Sequence, residues 1–213
     1  MGIDGLENIY NSNFFRRWGR LNKPYVESAG LIAKELNQRF RPTRIIDVGC
    51  GCGVYGHHFQ RLGVDVVFLD GVTPPEQYSF PMQIQVRDLT DPFDNVWGEF
   101  DLALCFDVGE HIPEAMSDTF LANLANLSNT ILMACAPPGQ GGVHHVNEQP
   151  KRYWIRRMKE HGFTYNRRST GKLCESFKLI KPPMMWMWEH ISVYERTSRV
   201  NTQGGKANGN QLA

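Results

Sequence analysis

The sequence predicts an α/β fold in which seven short strands alternate with helices. The first observation is the apolar run 44–48, which leads directly into a glycine-rich turn and indicates a buried strand. The second is that similar runs recur along the chain, separated by segments whose apolar residues have helical spacing. With 213 residues and 41% hydrophobic side chains, the chain can bury one sizeable core.

The composition argues against several classes of protein. A formal net charge of +1 provides no large field to attract nucleic acid. No apolar run approaches the ~20 residues that span a bilayer, and residues 1–6 match neither a signal peptide nor a myristoylation site. Five cysteines without a C-x-x-C pair are expected to be small buried side chains in a reducing cytosol. We therefore expect a cytoplasmic protein with no membrane or nucleic-acid partner.

The N-terminal segment precedes the first strand and has two open interpretations. Residues 1–22 carry an aromatic and basic cluster between Tyr10 and Trp18, without a clear periodic element. This cluster forms either a lid over the glycine turn or a leading helix packed against the core. Helical spacing of apolar residues then predicts a helix over 24–40. We treat 1–40 as an N-terminal helical lid or leading segment.

The glycine-rich turn after the first strand is the central motif of the chain. Gly49, Gly51 and Gly53 alternate with small residues, and a helix is predicted over 54–62. Glycine lets the chain turn tightly and lets a ligand lie against bare backbone. The unpaired amides at the start of the helix suit an anionic or carboxylate-bearing ligand. The motif therefore predicts a site for a nucleotide-like cofactor.

Two classes of cofactor fit these glycines. Gly51, Gly53 and Gly56 satisfy the G-x-G-x-x-G fingerprint of dinucleotide sites, which leaves an NAD(P)-dependent oxidoreductase as an alternative. Asp47, which precedes the first glycine, favours a different ligand because a carboxylate attracts an ammonium group and repels a pyrophosphate. The second predicted strand ends in Asp70, which can accept both ribose hydroxyls of either cofactor.

Two motifs carry a resemblance to a known family. Asp47 followed by G-x-G-x-G resembles the first motif of S-adenosylmethionine-dependent methyltransferases of the Rossmann-like class. The segment 107–113, D-V-G-E-H-I-P, resembles the exit of that family's fourth strand, which often carries Glu-His before an apolar residue. The resemblance covers roughly 40–196 and implies S-adenosylmethionine as methyl donor. It also implies a mostly parallel seven-stranded sheet with an antiparallel last strand and helices on both faces, in a domain over 41–196.

The resemblance further implies which residues hold the cofactor. Three successive strands end in a carboxylate, and each acid would bind a different part of one nucleoside. The implied residues are Asp47, Gly49, Cys50, Gly51 and Gly53 for the methionine portion, Asp70 and Gly71 for the ribose, Asp88 and Leu89 for the adenine, and Asp107 beside the sulfonium. Cysteines occupy the variable positions of the turn, where small side chains leave binding intact.

The candidates for catalysis follow the fourth and fifth predicted strands. The resemblance places His111 and Glu110 over the transferred methyl group, and His111 is the first candidate for a base or substrate contact. A glycine-rich loop brings His145, Asn147 and Glu148 towards the same edge as further contacts. No metal site is expected, because the spacing is not H-E-x-x-H and adjacent histidines rarely share one ion. A base matters only if the acceptor is protonated at working pH.

The remaining predicted elements continue the alternation. They are strands over 83–86, 101–106, 130–136, 163–166 and 191–195, and helices over 115–127, 150–161 and 173–179. The Met- and Trp-rich segment 182–188 is interpreted either as the lining of an acceptor pocket or as packing against the sheet without a helix. Residues 197–213 are polar and are expected to form a disordered tail.

The function predicted from these observations is transfer of a methyl group from S-adenosylmethionine to an oxygen or nitrogen of a small-molecule acceptor. Two alternatives remain open, namely the NAD(P)-dependent oxidoreductase and a module that binds the cofactor without catalysis. The protein is expected to be a monomer or a homodimer. The chemical identity of the acceptor does not follow from the motifs, because fold does not fix substrate.

Overall fold

Seven strands form one sheet in the computed structural model, which describes residues 5–181 and 185–197. The strands are β1 (Arg44–Val48), β2 (Asp65–Asp70), β3 (Ile84–Val86), β4 (Leu102–Phe106), β5 (Thr130–Ala134), β6 (Phe163–Tyr165) and β7 (Ser192–Arg196). Their order in the sheet is β3-β2-β1-β4-β5-β7-β6, and β7 runs antiparallel to both of its neighbours. Strands β1 to β5 pair in parallel, so the predicted sheet with its antiparallel last strand is confirmed.

Eight α-helices connect and flank these strands within the described residues. They are α1 (Leu6–Ile9), α2 (Ser12–Arg17), α3 (Lys23–Phe40), α4 (Val54–Arg61), α5 (Ser117–Leu127), α6 (Lys151–Glu160), α7 (Arg167–Lys178) and α8 (Met185–His190). Short 3-10 helices lie at Glu76–Tyr78, Gly109–His111 and Glu114–Met116. The predicted helices that follow the first, fourth and fifth strands are therefore present within a few residues of their expected bounds.

Helices cover both faces of the sheet, as predicted. One layer contains α3, α4, α7 and α8, which bury residues such as Ile32 and Phe59 against the sheet. The other layer contains α5 and α6, which bury Phe120 and Trp154 against the opposite face. Because β1, β4 and β5 are covered on both faces, their sequences are continuous apolar runs rather than alternating ones.

The strand order reverses beside β1, and this position determines where a ligand can bind. The chain passes from β1 outward to β3 and then returns to β4 on the other side of β1. In open α/β sheets the ligand crevice lies at the carboxyl ends of the strands at such a reversal. Asp47 is near the end of β1, Asp70 ends β2 and Asp107 follows β4, so the topology brings three acidic residues to this edge.

The N-terminal segment contains two helices where the sequence analysis found no clear periodic element, although a leading helix was one of its two interpretations. Short helices leave little periodicity to detect, and α2 depends on a cap, since the Asn11 side chain accepts a hydrogen bond of 3.0 Å from the Asn13 amide. Phe15 is 2% exposed, so α2 is fixed to the core through an aromatic side chain. The irregular assignment of 1–22 was therefore wrong for α1 and α2.

The chain between β6 and β7 also differs from expectation. Helix α7 begins at Arg167, ahead of the predicted start at 173, because the Asn166 side chain caps the Ser169 amide at 2.9 Å. Helix α8 replaces the helix-free packing considered for 182–188, and its Met187 is fully buried. Residues 182–184 and 198–213 lie outside the described residues, and so therefore does nearly all of the predicted tail.

Two expectations about the class of the protein can be compared with the structure. All five cysteines are free, and four of them are buried, in agreement with their interpretation as small core side chains. Within 5–181 and 185–197, no helix combines the length and apolar character that crossing a bilayer requires.

Candidate functional site

The glycine turn after β1 is held against the end of β2. The amides of Gly49 and Cys50 donate hydrogen bonds of 2.8 and 3.2 Å to the Leu69 carbonyl. Gly51 has a φ of +50°, which favours glycine, and a Cβ built on it would meet no atom within 4 Å. The turn therefore exposes bare backbone to the cavity in front of it.

Asp70 connects the end of β2 to this turn. Its carboxylate accepts hydrogen bonds of 2.8 Å from the Gly51 amide and 3.1 Å from the Val72 amide. Burial raises the pKa of Asp70, while the amide bonds act in the opposite direction. A carboxylate has about four lone-pair positions, so two bonds leave acceptor capacity for a ligand.

Asp47 lies behind the turn rather than in the cavity wall. It is 4% exposed and accepts a hydrogen bond of 3.0 Å from the Gly56 amide in the first turn of α4. Burial raises the pKa of Asp47 to about 7, against the effect of the Gly56 bond and with a smaller contribution from Asp70. The acid thus satisfies an amide at the start of α4 and places a titratable group under the glycine turn.

A cavity with about 840 Å³ of free space, part of it open to solvent, lies along this edge of the sheet. Most of the predicted cofactor residues line it, at Gly49, Gly51, Asp70, Gly71, Asp88, Leu89 and Asp107. Asp47, Cys50 and Gly53 are not among the lining residues, because they form the buried side of the turn. The sequence therefore located this wall of the cavity but did not separate lining residues from supporting ones.

Asp88 and Asp107 reach the cavity in different ways. Asp88 caps its own turn, since one carboxylate oxygen accepts bonds of 2.8 Å from the Thr90 amide and 2.6 Å from the Thr90 hydroxyl. Asp107 has a φ of +55°, although it is not a glycine, and its amide donates 2.8 Å to the Ala134 carbonyl. A left-handed backbone at such a residue costs about 1 kcal/mol or more and is concentrated at functional sites.

The N-terminal helices form another wall of the cavity, in the segment that the sequence analysis left open as a lid or as a leading helix. Leu6, Tyr10, Phe14 and Phe15 all line it. The Tyr10 ring packs edge-on against Phe14 at 5.0 Å and against His111 at 5.6 Å between ring centroids. Burial raises the pKa of the Tyr10 phenol, with smaller effects from two acids, so it stays neutral. The aromatic cluster in 1–22 was the available signal.

A polar cluster lies beside His111 at the end of the cavity near β4. One donor atom from each of Glu110, His111 and His145 lies within 4.8 Å of the other two. His111 Nδ1 is 3.2 Å from the His144 carbonyl oxygen, and His145 Nδ1 is 2.8 Å from Glu148 Oε1. The structure therefore brings together the three predicted catalytic residues, of which His111 alone lines the cavity.

Burial controls the charge of this cluster. It lowers the pKa of His111 to about 4, with a further contribution from nearby His145, so His111 is neutral at pH 7. Burial and the charge of Asp107 raise the pKa of Glu110. The bond to His145 lowers the pKa of Glu148, which also accepts hydrogen bonds from the Gly139 and Gly141 amides.

The two other predicted substrate contacts are engaged within the protein. Asn147 is 4% exposed and its side-chain amide donates 3.1 Å to the Ser117 hydroxyl. The carboxylate of Glu148 is used by His145 and by the loop amides. Both side chains therefore hold the 137–150 loop in place, and neither lines the cavity.

Comparison with protein families identifies a matching domain model. Residues 20–179 match a family described as "Methyltransferase domain". This match covers all of the cavity-lining residues except those in α1 and α2.

Curated relatives are distant in sequence. A ubiquinone biosynthesis O-methyltransferase from Pseudomonas aeruginosa is 24% identical over 139 residues, which are 60% of this chain and 50% of the relative. The Xanthomonas campestris enzyme of the same description is 26% identical over 161 residues, which are 68% of this chain and 60% of the relative. The chain thus spans about half the length of the Pseudomonas relative.

Solved structures share the fold at low sequence identity. A 1,6-didemethyltoxoflavin-N1-methyltransferase from Burkholderia thailandensis, with bound S-adenosylhomocysteine, superposes with a TM-score of 0.57 at 16% identity, covering 92% of this chain and 91% of the other. The sugar N-methyltransferase KedS8 from Streptoalloteichus superposes with a TM-score of 0.61 at 13% identity, covering 87% of this chain and 92% of the other.

Proposed function

The chain belongs to the methyltransferase-domain family, and from that premise we propose that it transfers a methyl group from S-adenosylmethionine to a small-molecule acceptor. One observation carries the proposal. One cavity is lined by the glycine turn, Asp70, the Asp88–Leu89 segment and Asp107 together.

The chemistry of the cavity wall fits a cationic nucleoside. Gly51 presents open backbone, Asp70 has acceptor capacity for ribose hydroxyls, and the buried Leu89 offers an apolar surface to a base. Among the described residues that line the cavity there are three aspartates and neither a lysine nor an arginine. Such a wall attracts a sulfonium and an ammonium group, whereas it repels the pyrophosphate of a dinucleotide. The NAD(P)-dependent alternative is therefore not favoured.

The roles proposed for the cofactor residues follow this fit. Asp70 with Gly71 would hold the ribose, and Asp88 with Leu89 the adenine. Asp107 would lie beside the sulfonium. The methionine portion would lie against Gly49 and Gly51, with the remaining turn residues supporting it from behind, at Asp47, Cys50 and Gly53.

S-adenosylmethionine supplies, when bound, a methyl group activated by its positively charged sulfur. The protein then has to align the acceptor and exclude water from the cavity. Tyr10 and Phe14 cover the cavity from the N-terminal side, so we assign 1–40 as a cover and 41–196 as the cofactor-binding domain. His111 is the proposed contact for the acceptor, supported by Glu110 and His145, because it is neutral and reaches the cavity. A cytoplasmic location and a monomeric or homodimeric state remain predictions.

A methyl-transfer screen tests the proposed activity. The full chain is incubated with S-adenosylmethionine and sets of small hydroxyl, amine and carboxyl acceptors, and S-adenosylhomocysteine release is measured. We expect turnover with at least one set and loss of turnover in Asp70→Ala. Asp65→Ala is the matched control, since Asp65 begins the same strand and its side chain is exposed beside Arg44. Cofactor binding without turnover across all sets would instead support the non-catalytic alternative.

A further inference from the structure

We infer that Glu110, His111 and His145 form a binding site for a divalent transition-metal cation at the acceptor end of the cavity. Two imidazoles and one carboxylate are a donor set used for ions such as Mn²⁺, Fe²⁺, Co²⁺ and Zn²⁺. Their donor atoms are already within 4.8 Å of one another, although Glu110 and His111 lie in the 3-10 helix after β4 and His145 lies in the loop after β5. The sequence analysis expected no metal here, because the spacing along the chain does not indicate this cluster.

The Glu110 side chain is the strongest indication of a missing partner. It is 1% exposed, and its Oε2 atom is buried without a hydrogen-bond partner. Leaving a buried acceptor unsatisfied costs about 1–3 kcal/mol, and more when the group is charged. A cation held between Glu110 and the two imidazoles would satisfy this oxygen.

The hydrogen bonds behind the two histidines orient them as metal ligands. His111 Nδ1 faces the His144 carbonyl and His145 Nδ1 faces the Glu148 carboxylate. Both partners accept a hydrogen bond from Nδ1–H, and in that tautomer Nε2 of each ring carries a lone pair. Metal-binding histidines commonly donate their other ring N–H to a carboxylate or a backbone carbonyl in this way.

Space and charge at the cluster also favour a cation. A Cβ on Gly142 would lie 2.2 Å from His145 Nε2, so only glycine at this position lets the loop pack against the His145 ring. A carboxylate oxygen of Glu110 lies within 4.8 Å of both imidazoles, and the Glu148 carboxylate contacts the His145 ring. No lysine or arginine lines the adjoining cavity within the described part of the chain.

Binding requires a modest closure of the three side chains. Metal–ligand bonds of about 2.1 Å would place adjacent donor atoms about 3 Å apart. Without an ion, the donor atoms of the three residues lie up to 4.8 Å from one another. His145 lies on the loop between β5 and α6, which contains Gly139 and Gly141 at positive φ and has no helix or strand. This loop can supply the movement.

Three protein donors leave coordination positions open, and His111 directs them towards the cavity. An ion there would favour an acceptor oxygen that binds it, such as a hydroxyl, over a protonated amine. This preference rests on the proposed function, whereas the metal site itself does not.

A cobalt titration tests the site without relying on turnover. The full chain is stripped with EDTA, dialysed and titrated with Co²⁺ alone, using visible absorption and calorimetry. We expect one ion per chain, and a loss of affinity of at least ~100-fold in Glu110→Gln, His111→Gln and His145→Gln. Glu148→Gln should weaken binding by about 10- to 100-fold, because it removes only the partner of a ligand. His57→Gln, on α4 outside the cavity wall, is the matched control and should bind as the wild type does.

The fold of each variant is checked by its thermal unfolding midpoint in EDTA. A folded His145→Gln variant that no longer binds Co²⁺ supports the site even if Glu110→Gln fails to fold. Absence of binding to the wild type, or equal binding by all variants, would overturn the inference. Calorimetry with S-adenosylmethionine in EDTA separates the two proposals: wild-type protein that binds Co²⁺ but not this cofactor retains the metal site and loses the proposed function.

Discussion

The carboxylate of Asp70 accepts a hydrogen bond of 2.8 Å from the backbone amide of Gly51. This bond joins the end of β2 to the glycine turn that follows β1, across the position where the strand order reverses. One acidic side chain therefore both fixes the shape of the turn and faces the cavity that the turn borders. Changes at either residue should affect cofactor binding before they affect the rest of the fold.

Asp70→Ala is expected to weaken binding of S-adenosylhomocysteine by about 10- to 100-fold, the effect of losing charge-assisted hydrogen bonds worth about 1.5–3 kcal/mol. Calorimetry measures the change. Asp65→Ala breaks only the 2.7 Å surface ion pair with Arg44 and should leave the affinity unchanged. Equal losses in the two variants would show that Asp70 acts through general stability and not at the ligand.

Gly51→Ala separates backbone strain from ligand contact when it is compared with Gly63→Ala. Both glycines have a positive φ, and a Cβ at either would meet no protein atom within 4 Å. Each substitution should therefore lower the unfolding midpoint, since the left-handed backbone costs about 1 kcal/mol for alanine. Only Gly51→Ala should also reduce cofactor affinity, because only Gly51 lines the cavity. Identical affinities in the two variants would contradict the placement of the cofactor against the turn.

The raised pKa of Asp47 predicts that the free energy of unfolding depends on pH. Burial raises its pKa in the folded protein from the ordinary 3.8 to about 7, so folding favours the protonated acid. Its contribution to stability is therefore present below about pH 4 and is lost as the pH rises towards 7. Asp47→Asn keeps an oxygen for the Gly56 amide and avoids this loss.

We expect Asp47→Asn to unfold at a higher temperature than the wild type at pH 8, with the difference narrowing as the pH falls to 5. Differential scanning calorimetry measures both values. The same variant should bind S-adenosylmethionine more weakly, because the ammonium group loses a nearby negative charge. A variant that is less stable than the wild type at pH 8 would show that the carboxylate is a net stabiliser of the glycine turn.

The N-terminal cover predicts protection from proteolysis. Arg16 and Arg17 lie in α2, beside the aromatic residues that line the cavity. A ligand that fills the cavity should stabilise these contacts and slow tryptic cleavage at the two arginines. Tyr10→Ala should accelerate cleavage and reduce the protection by S-adenosylhomocysteine, whereas Tyr10→Phe keeps the ring contact with His111 and should behave as the wild type does. Cleavage that does not respond to the ligand would argue against a cover.

Much of the fold could be predicted because its signals are local. Gly49 lies in the turn between β1 and α4, and Gly63 lies in the turn between α4 and β2. The buried strands are mostly continuous apolar runs. Helices α1 and α2 were missed because each spans fewer than two turns and depends on capping and on burial of Phe15. The early start of α7 was missed for a related reason, since Arg167 and Arg168 in its first turn are exposed and give no apolar periodicity.

The candidate site was predictable on one side only. The cavity wall proposed to hold the cofactor follows strand ends, so Asp70 and Asp88 could be placed from the sequence with the help of a family resemblance. The side proposed for the acceptor is assembled by long loops and by α1 and α2, and its contacts, such as Tyr10 with His111, join residues far apart in the chain. No local pattern encodes that juxtaposition.

The most direct test of the central claim is calorimetric titration of the wild-type protein with S-adenosylmethionine, S-adenosylhomocysteine and NADH under one buffer condition. We expect micromolar dissociation constants for the first two ligands, with no measurable heat from NADH. Preferential binding of NADH, or no binding of either sulfur nucleoside, would contradict the assignment of this cavity to a methyl donor.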